Sequence, residues 1–484
     1  MTAIPLRTPV LAAPGDRSFW LQDIGAKPVT KPLEGAHRTD IAIVGGGYTG
    51  LWTALRLRAL APERSVTVLE AGTCGSGASG RNGGQVHSWY AEIDALTSVV
   101  GIEEAQRLCA ATAEAIEELA ELQASGTIDM DLRLRGWLWT ASSTAQEGAW
   151  DSAVEMTEKC ATNTFRPLSA EEILQRTGSP ASYLGVSEER AGSLQPAKLA
   201  LGLRDLAISR GVKIHEGSVV RTIVPGSPCE LQTGIGTLTA DTLVLATNAW
   251  LSCIPELHRH MFTVQSQVIA TEPTGLFLDR LGLQEGVAVC DSQRQVIYYQ
   301  RDRNGRLIFG HGSGRICYND AFGAEFNRSK EGGRDNREEL KRLYPDLRDT
   351  RITHDWAGPI DCTPDHVPAC GSLTGHRNII FGLGLNGTGI AQAPVVARIL
   401  ASMALGRSDE WSRSGLVGLA QRRTLPPEPI RYIGARIVRA AVRRRNAAEI
   451  RNRQPNPLVR YLSDLVPGHE QKSERHRSAP KWPR

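Results

Sequence analysis

Gly45, Gly47 and Gly50, with Glu70 twenty residues further on, are the residues whose types and spacing most directly imply chemistry. A GxGxxG run needs glycine three times: for a tight turn, for close approach of backbone to a pyrophosphate, and for close packing of a helix on a sheet. The helix that follows offers free N–H groups and a positive dipole end to phosphates, and Tyr48 and Thr49 would be its first residues. A carboxylate at Glu70 can accept hydrogen bonds from both hydroxyls of an adenosine ribose; Ala71 and Gly72 after it, rather than arginines, disfavour a 2′-phosphate. A lone GxGxxG is often a plain glycine turn, so its placement decides. Asp40 to Gly72 reads as buried strand, glycine turn, amphipathic helix and second buried strand, one βαβ unit. That pattern implies a dinucleotide, FAD or NAD, and disfavours NADP.

The elements that must position this turn belong to a large chain. With 484 residues, 41% of them apolar, it exceeds one compact domain, and two intertwined domains are expected. Residues 1 to 39 read as an irregular, proline-punctuated leader. No apolar run of 18 residues and no convincing signal peptide is present, which points to the cytoplasm. The nine cysteines contain no CxxC pair and no metal-ligand spacing, so neither a disulfide framework nor a metal site is expected. The formal charge of +4 conceals an asymmetry: residues 421 to 484 hold 16 Lys and Arg against 5 Asp and Glu.

Four further segments resemble the D-amino-acid oxidase superfamily of FAD-dependent oxidoreductases, especially its γ-glutamylputrescine oxidase and glycine/sarcosine oxidase-like branch. They are GASGRNGGQ (Gly77 to Gln85), QPAKLALGLRDLAISRGVKIHEGSVV (Gln195 to Val220), LVLATNAW (Leu243 to Trp250), and WAGPIDCTPDHVPACG through GLGLNGTGI (Trp356 to Ile390), in the family's order. The resemblance covers roughly residues 18 to 406 and favours FAD over NAD. It implies an α/β fold: a GxGxxG Rossmann-like FAD-binding domain with an interleaved α+β substrate domain built on an antiparallel sheet. The expected FAD-binding parts are 38–100, 190–255 and 355–406. The substrate parts are 101–189 and 256–354, between a leader of 1–37 and a basic extension of 407–484.

Each segment also has a local reading. GASGRNGGQ is too glycine-rich for helix or strand and reads as a loop; small residues also let backbone lie against a flat ring. By resemblance it runs along the flavin, which makes Ser79, Gly80, Arg81, Asn82, Gly83, Gly84 and Gln85 cofactor neighbours. Residues 196 to 209 have helical apolar spacing, and Val212 to Ile214 and Val219 to Ile223 read as short strands. The resemblance puts an adenine contact at Val220 or its neighbour Val219. Leu243 to Ala246 reads as a buried strand leading to Thr247 and Asn248, which resemble a turn beside the cofactor. Ile379 to Phe381 reads as strand, GLGLNGTG as a phosphate-approach turn, and Ile390 to Leu405 as helix, so that Gly384, Asn386, Gly387, Thr388 and Gly389 meet the flavin by resemblance.

Between these segments, VQSQVIAT, QVIYYQRD and GRLIFGHG alternate as antiparallel strands. By resemblance this sheet roofs the flavin, and either Tyr298 or Tyr299 points into the site, because adjacent strand residues face opposite sides. His311 resembles a substrate-side histidine of the sarcosine oxidase branch, and Trp356 joins it as a binding or orienting residue rather than an acid or base. Arg315 reads equally as a partner for a substrate carboxylate and as a structural ion pair. In the sarcosine oxidase branch a cysteine a few residues before a TPD triplet carries covalent flavin. Here TPD is Thr363 to Asp365, the matching position is near Gly358, and Cys362 is misplaced, which implies non-covalent FAD. That branch's oxygen-activating lysine is replaced by Leu307 or a neighbour, so the acceptor is oxygen or another carrier such as a quinone.

The chemistry the resemblance implies is hydride transfer from the carbon beside an amine nitrogen to flavin N5, with water hydrolysing the imine. The substrate class is a γ-glutamylputrescine-like amine, an amino acid or an N-methyl amine. A competing reading concerns Tyr432 to Asn452, an arginine-rich helix with apolar positions Ile433, Ile437, Ala440 and Ala441. It packs on the body with its charged side solvated, or it binds a membrane or nucleic acid.

Overall fold

The computed structural model describes residues 3–13 and 18–466; the last part of the basic extension, 467–484, lies outside the described residues. The apolar run Ile41 to Val44 is the buried end of a strand, Gly35–Val44. It pairs in parallel with Val66–Leu69, which pairs in parallel with Lys213–His215. On its other edge lies Gly236–Leu245, also parallel. That long strand forks: residues 243–245 pair in parallel with His376–Leu383, while residues 237–240 pair antiparallel with Cys229–Gln232. A nine-stranded sheet results, gathered from the beginning, middle and end of the chain. Helices Tyr48–Leu60 and Gly389–Ala404 pack against each other on it, each starting directly after a glycine turn at a strand end.

The second sheet has eight strands in the order Ile352–Cys362, Phe262–Thr271, Leu307–Arg315, Ile297–Arg301, Ala288–Asp291, Trp137–Ala141, Leu184–Glu188 and Phe165–Leu168. All its neighbours are antiparallel except the parallel pair Ala288–Asp291 and Trp137–Ala141, where the chain crosses from one half of the sheet to the other. Helix Lys330–Leu343 covers one face of this sheet. The other face looks toward the nucleotide-type sheet. No helix among the described residues is long and apolar enough to cross a membrane.

Three local expectations change. The leader is not irregular throughout: Ile4–Pro5 pairs with Thr222 and Ile223, Phe19–Asp23 is a helix capped by Ser18, and strand Gly35–Val44 begins inside the expected leader. Residues 219 to 221 are not strand; only Thr222–Val224 pairs, with its antiparallel neighbour Cys229–Gln232.

The C-terminal helix Ile430–Glu449 is turned the opposite way from its amphipathic pattern. Ile433 and Ile437 are exposed, whereas Arg431, Val442 and Asn446 are buried beside Ala441. The reason is electrostatic: the surface beneath the helix carries acids, and Arg443 pairs with Glu331 and Asp335 (both 2.9 Å) while Arg431 pairs with Asp320 (2.7 Å).

Candidate active site

The glycine turn is as tight as its spacing requires. Gly45 has φ +113°, and a Cβ there would stand 2.5 Å from the carbonyl oxygen of Ala246. A Cβ on Gly50 would strike the carbonyl oxygen of Gly45, which is why the helix can sit so close to the turn. Glu70 holds the turn from the next strand end, its carboxylate accepting from the N–H of Gly46 (2.7 Å) and of Gly72 (2.8 Å). Burial raises its pKa, and these two amides oppose the rise. Behind it stands Glu216, fully buried, which accepts from the N–H of Cys74 (2.7 Å) and Thr30 (2.8 Å) and lies 3.5 Å from Arg204.

The glycine-rich loop 77–85 is pinned from several sides. Ser79 Oγ accepts from the N–H of Tyr48 (2.9 Å), Ser18 Oγ donates to Gly80 O (2.6 Å), and Trp20 Nε1 donates to Asn82 O (2.9 Å). Arg81, 5% exposed, reaches across to the second sheet: Nη1 donates to Asn327 Oδ1 (2.8 Å), and Nη2 to Asn327 O (3.2 Å) and Ala357 O. Trp356 Nε1 donates back to Arg81 O (2.9 Å). Gln85 ties the loop to the same sheet through Val289 O (2.7 Å) and Trp137 Nε1 (3.1 Å).

A second glycine turn stands at the same carboxyl end of the nine-stranded sheet, directly after strand His376–Leu383. Asp361, on strand Ile352–Cys362, accepts from the N–H of Gly384 (2.5 Å) and from Asn248 Nδ2, and its pKa is pushed by burial to about 6. Asn386, at φ +52°, closes the turn by donating to Gly384 O (2.5 Å) and accepting from the N–H of Thr363 (2.9 Å). Asn248 Oδ1 is buried and accepts no hydrogen bond among the described residues. Gly387, Thr388 and Gly389 follow at the start of the helix.

These two turns and the loop open into one cavity of about 2220 Å³. Its lining includes Gly45, Gly47, Tyr48, Thr49, Glu70, Ala71, Ser79, Arg81, Asn82, Gly83, Gln85, Val219, Val220, Thr247, Asn248, Asn386, Gly387, Thr388 and Gly389. Gly50, Gly80, Gly84 and Gly384 lie behind it, where a Cβ would strike Gly45 O, Gly75 O, Gln300 and Thr363 respectively. The leader supplies part of the wall, Leu6 to Ala12, with Leu11 against Gly72.

The facing wall is a row across the second sheet. Register places Trp356, Val268, Gly310, Tyr298, Cys290 and Trp139 side by side on one face, and of these Val268, Tyr298, Cys290 and Trp139 line the cavity. Tyr298 is clasped between Gly83 and Gly310, where any Cβ would meet its ring, and its hydroxyl lies 2.8 Å from Ser266 Oγ. Burial pushes its phenol up to about 12, so it stays protonated at neutral pH. His87 also lines the cavity, stacked on Trp137 at 4.6 Å and held neutral by burial.

Four expected site residues stand elsewhere. Tyr299 faces the opposite side of its strand and packs in the core on Phe309 and Tyr344. His311, next to Gly310, faces that same far side for the same reason, near Glu339 and Asp335 of helix Lys330–Leu343. Arg315 is absent from the cavity wall, where Glu325 is a nearby charge. Trp356 supports Arg81 from behind. His87, Glu216, Asp361 and Ser266 escaped notice in the sequence, although all four sit in or beside quoted segments; their roles depend on contacts made across the fold.

His311 is expected to be dispensable for turnover but to shape stability. Its two ring nitrogens have no hydrogen-bond partner among the described residues and burial lowers its pKa, so the unfolded chain takes up the proton first, near pH 6.5. Its stability contribution is therefore full above about pH 6.5 and falls as the pH drops toward the lower folded value. Melting temperatures from pH 7.5 to 5.5 should fall less in His311→Leu than in the wild type, with kcat within about twofold. A tenfold loss of kcat with flavin retained contradicts this placement.

The model for the FAD dependent oxidoreductase (DAO) family matches residues 40–403. Gamma-glutamylputrescine oxidoreductase of Escherichia coli K12 is 30% identical over 375 residues, covering 77% of this chain and 85% of its own. A probable oxidoreductase, OrdL, of Haemophilus influenzae is 29% identical, covering 82% and 90%. Among solved structures, glycine oxidase from Geobacillus kaustophilus superposes with a TM-score of 0.66 at 21% identity, covering 80% of this chain and all of its own.

Proposed function

Because the chain belongs to the DAO family of FAD-dependent oxidoreductases, with FAD as its cofactor, we propose that it oxidises the C–N bond of a primary or secondary amine, a γ-glutamylputrescine-like amine first among the candidates. The observation that carries this reading is that the flavin-side loop Arg81 to Gly83 and the Tyr298 face of the second sheet enclose a single cavity. The residues fit the cofactor: the missing Cβ atoms of Gly45 and Gly50 let the helix start close on the turn at the cavity wall, and Asn248 Oδ1 waits for a donor. Gly45, Gly47, Tyr48 and Thr49 would hold the pyrophosphate, Glu70 the ribose and Val220 the adenine. Arg81 to Gly83 and Gly387 to Gly389 would hold the ring. When bound, FAD supplies the two-electron sink for the C–H bond beside the amine nitrogen.

The chain's own part is to bind, orient and desolvate. Val268, Ile360, Cys290 and Trp139 give the Tyr298 region of the cavity an apolar wall. Such a wall disfavours the ammonium form and leaves the nitrogen lone pair available. Tyr298, protonated, orients the amine by hydrogen bonding, the ammonium's proton goes to solvent before the amine enters, and His87, held neutral by burial, adds no positive charge to the site. Water then hydrolyses the imine to aldehyde or keto acid. Non-covalent FAD is supported by Gly358 on the cavity wall and by Cys362, buried outside it. The location of the strands supports the discontinuous domain division, with one refinement: a boundary at 355 cuts strand Ile352–Cys362, which belongs with the substrate parts.

The test is anaerobic mixing of the yellow holoenzyme with γ-glutamylputrescine, sarcosine, glycine, D-amino acids and N-methyl amines. Bleaching of the flavin absorbance by at least one amine is expected, and no bleaching by any of them overturns the reading. Admitting air then identifies the acceptor: rapid reoxidation with stoichiometric peroxide marks oxygen, whereas reoxidation only by a soluble quinone marks a carrier.

A further inference from the structure

The cavity does not end at the face that carries Tyr298. It continues outward between residues 144–158 and the C-terminal extension, where Arg294, Arg445, Arg453 and Asp464 also line it. The extension's share lies beyond residue 403, the end of the family match, so this arm is walled by chain that the family model does not include. It is firmly tied down. Asn452 Oδ1 accepts from the N–H (3.1 Å) and Oγ1 (3.0 Å) of Thr144, and Asn446 Nδ2 donates to Gln293 Oε1 (2.8 Å). Asp464 Oδ1 accepts from Arg294 (3.1 Å) and Arg445 (2.7 Å).

The net charges on the two walls differ in sign, with Arg294, Arg445, Arg453 and Arg460 outnumbering Glu449 and Asp464 on one of them. Arg294 has a side chain only 18% exposed, and its one ion-pair carboxylate among the described residues, Asp464, is shared with Arg445. Arg453 adds a further positive charge with no ion pair among the described residues. Burial and the nearby Arg445 both disfavour the charge on Arg294, a situation that an incoming anion relieves. On the other wall Glu147 is held in place by the Tyr183 hydroxyl, which donates to its Oε1 (2.8 Å), and Glu158 and Asp151 lie on the same segment.

We propose that this outer arm is a subsite for the far end of an elongated amine substrate, an end that carries an ammonium and a carboxylate on one carbon. Arg294 takes the carboxylate and Glu147 the ammonium. Arginine offers a planar fork for the carboxylate, and the opposed walls fix which way the head group turns. The inference rests on the amine oxidation proposed above and names the class of amine: one long enough to leave its reacting nitrogen beside Tyr298 while its zwitterionic head lies under the extension.

Three substrates with the same reacting amine separate the parts: γ-glutamylputrescine, its glutaryl analogue without the α-ammonium, and N-acetylputrescine without either charge. Holoenzyme kinetics are measured for the wild type, Arg294→Gln and Glu147→Gln, with flavin content and circular dichroism checked for each. Arg294→Gln should raise KM by about tenfold or more for the first two substrates and leave the third unchanged; Glu147→Gln should do so for the first alone. Kcat should stay level, because the reacting end is untouched. Equal effects on all three substrates, which a merely structural role would give, overturn the inference, as does a wild type with equal kcat/KM for all three. A wild type whose flavin none of the three reduces overturns the amine reading itself, and this inference with it.

Discussion

Glu70→Ala is expected to yield a folded protein that loses its yellow colour on a desalting column. The carboxylate's two oxygens take one backbone N–H each and retain lone pairs for the ribose hydroxyls. Losing two charge-assisted bonds costs about 3 kcal/mol, roughly two orders of magnitude in FAD affinity. The same change leaves the amides of Gly46 and Gly72 without their acceptor, which loosens the turn that the phosphates need. Glu70→Gln, which keeps one carbonyl acceptor, should fall between. Titration of apoprotein with FAD, followed by fluorescence quenching, measures both; an alanine variant with wild-type affinity removes Glu70 from the ribose.

Arg81→Ala should damage both stability and turnover. Its guanidinium is buried and bridges the flavin-side loop to Asn327 and Ala357 of the substrate part. Removing it leaves Asn327 Oδ1 and Ala357 O without this donor, while Asn327 O keeps the Ala357 N–H, at a cost of about 3 kcal/mol. It also frees the loop whose Gly83 abuts Tyr298, and a displacement near 1 Å between reacting groups is enough to lower kcat/KM about 100-fold. Arg81→Lys should recover little, since a point charge cannot reproduce the fork. A variant that melts and turns over like the wild type shows that the two sheets are held together by other means.

What was legible in the sequence was local. Gly50 answers to Gly45 five residues before it, and the helix expected over 196 to 209 is Pro196–Ser209. The choice between Tyr298 and Tyr299 was visible as an alternation, but not its direction. That direction follows from register: Tyr298 pairs with Gly310, which commits His311 to the far face. A strand's partners are not written in its own residues. Glu216 and Asp361 were missed for a related reason, since amides they hold come from segments far away in the chain, Cys74 for the first and the Asn248 side chain for the second. The terminal helix misled because its apolar stripe was taken as its inner side, whereas acids on the body selected the arginines.

The forked strand Gly236–Leu245 has a bearing on how the molecule is made. Its N-terminal neighbours are synthesised early, but its partner His376–Leu383 and the turn after it come some 340 residues behind Gly45. At roughly 5–20 residues per second, the first glycine turn waits about 20–70 seconds on the ribosome before the opposite half of its pocket exists. The cofactor therefore acts as a ligand of the nearly finished chain, stabilising it by mass action, and not as a template for its first domain. Cells short of flavin should accumulate this protein as a slow-closing, protease-sensitive intermediate whose exposed edge is that of residues 243–245.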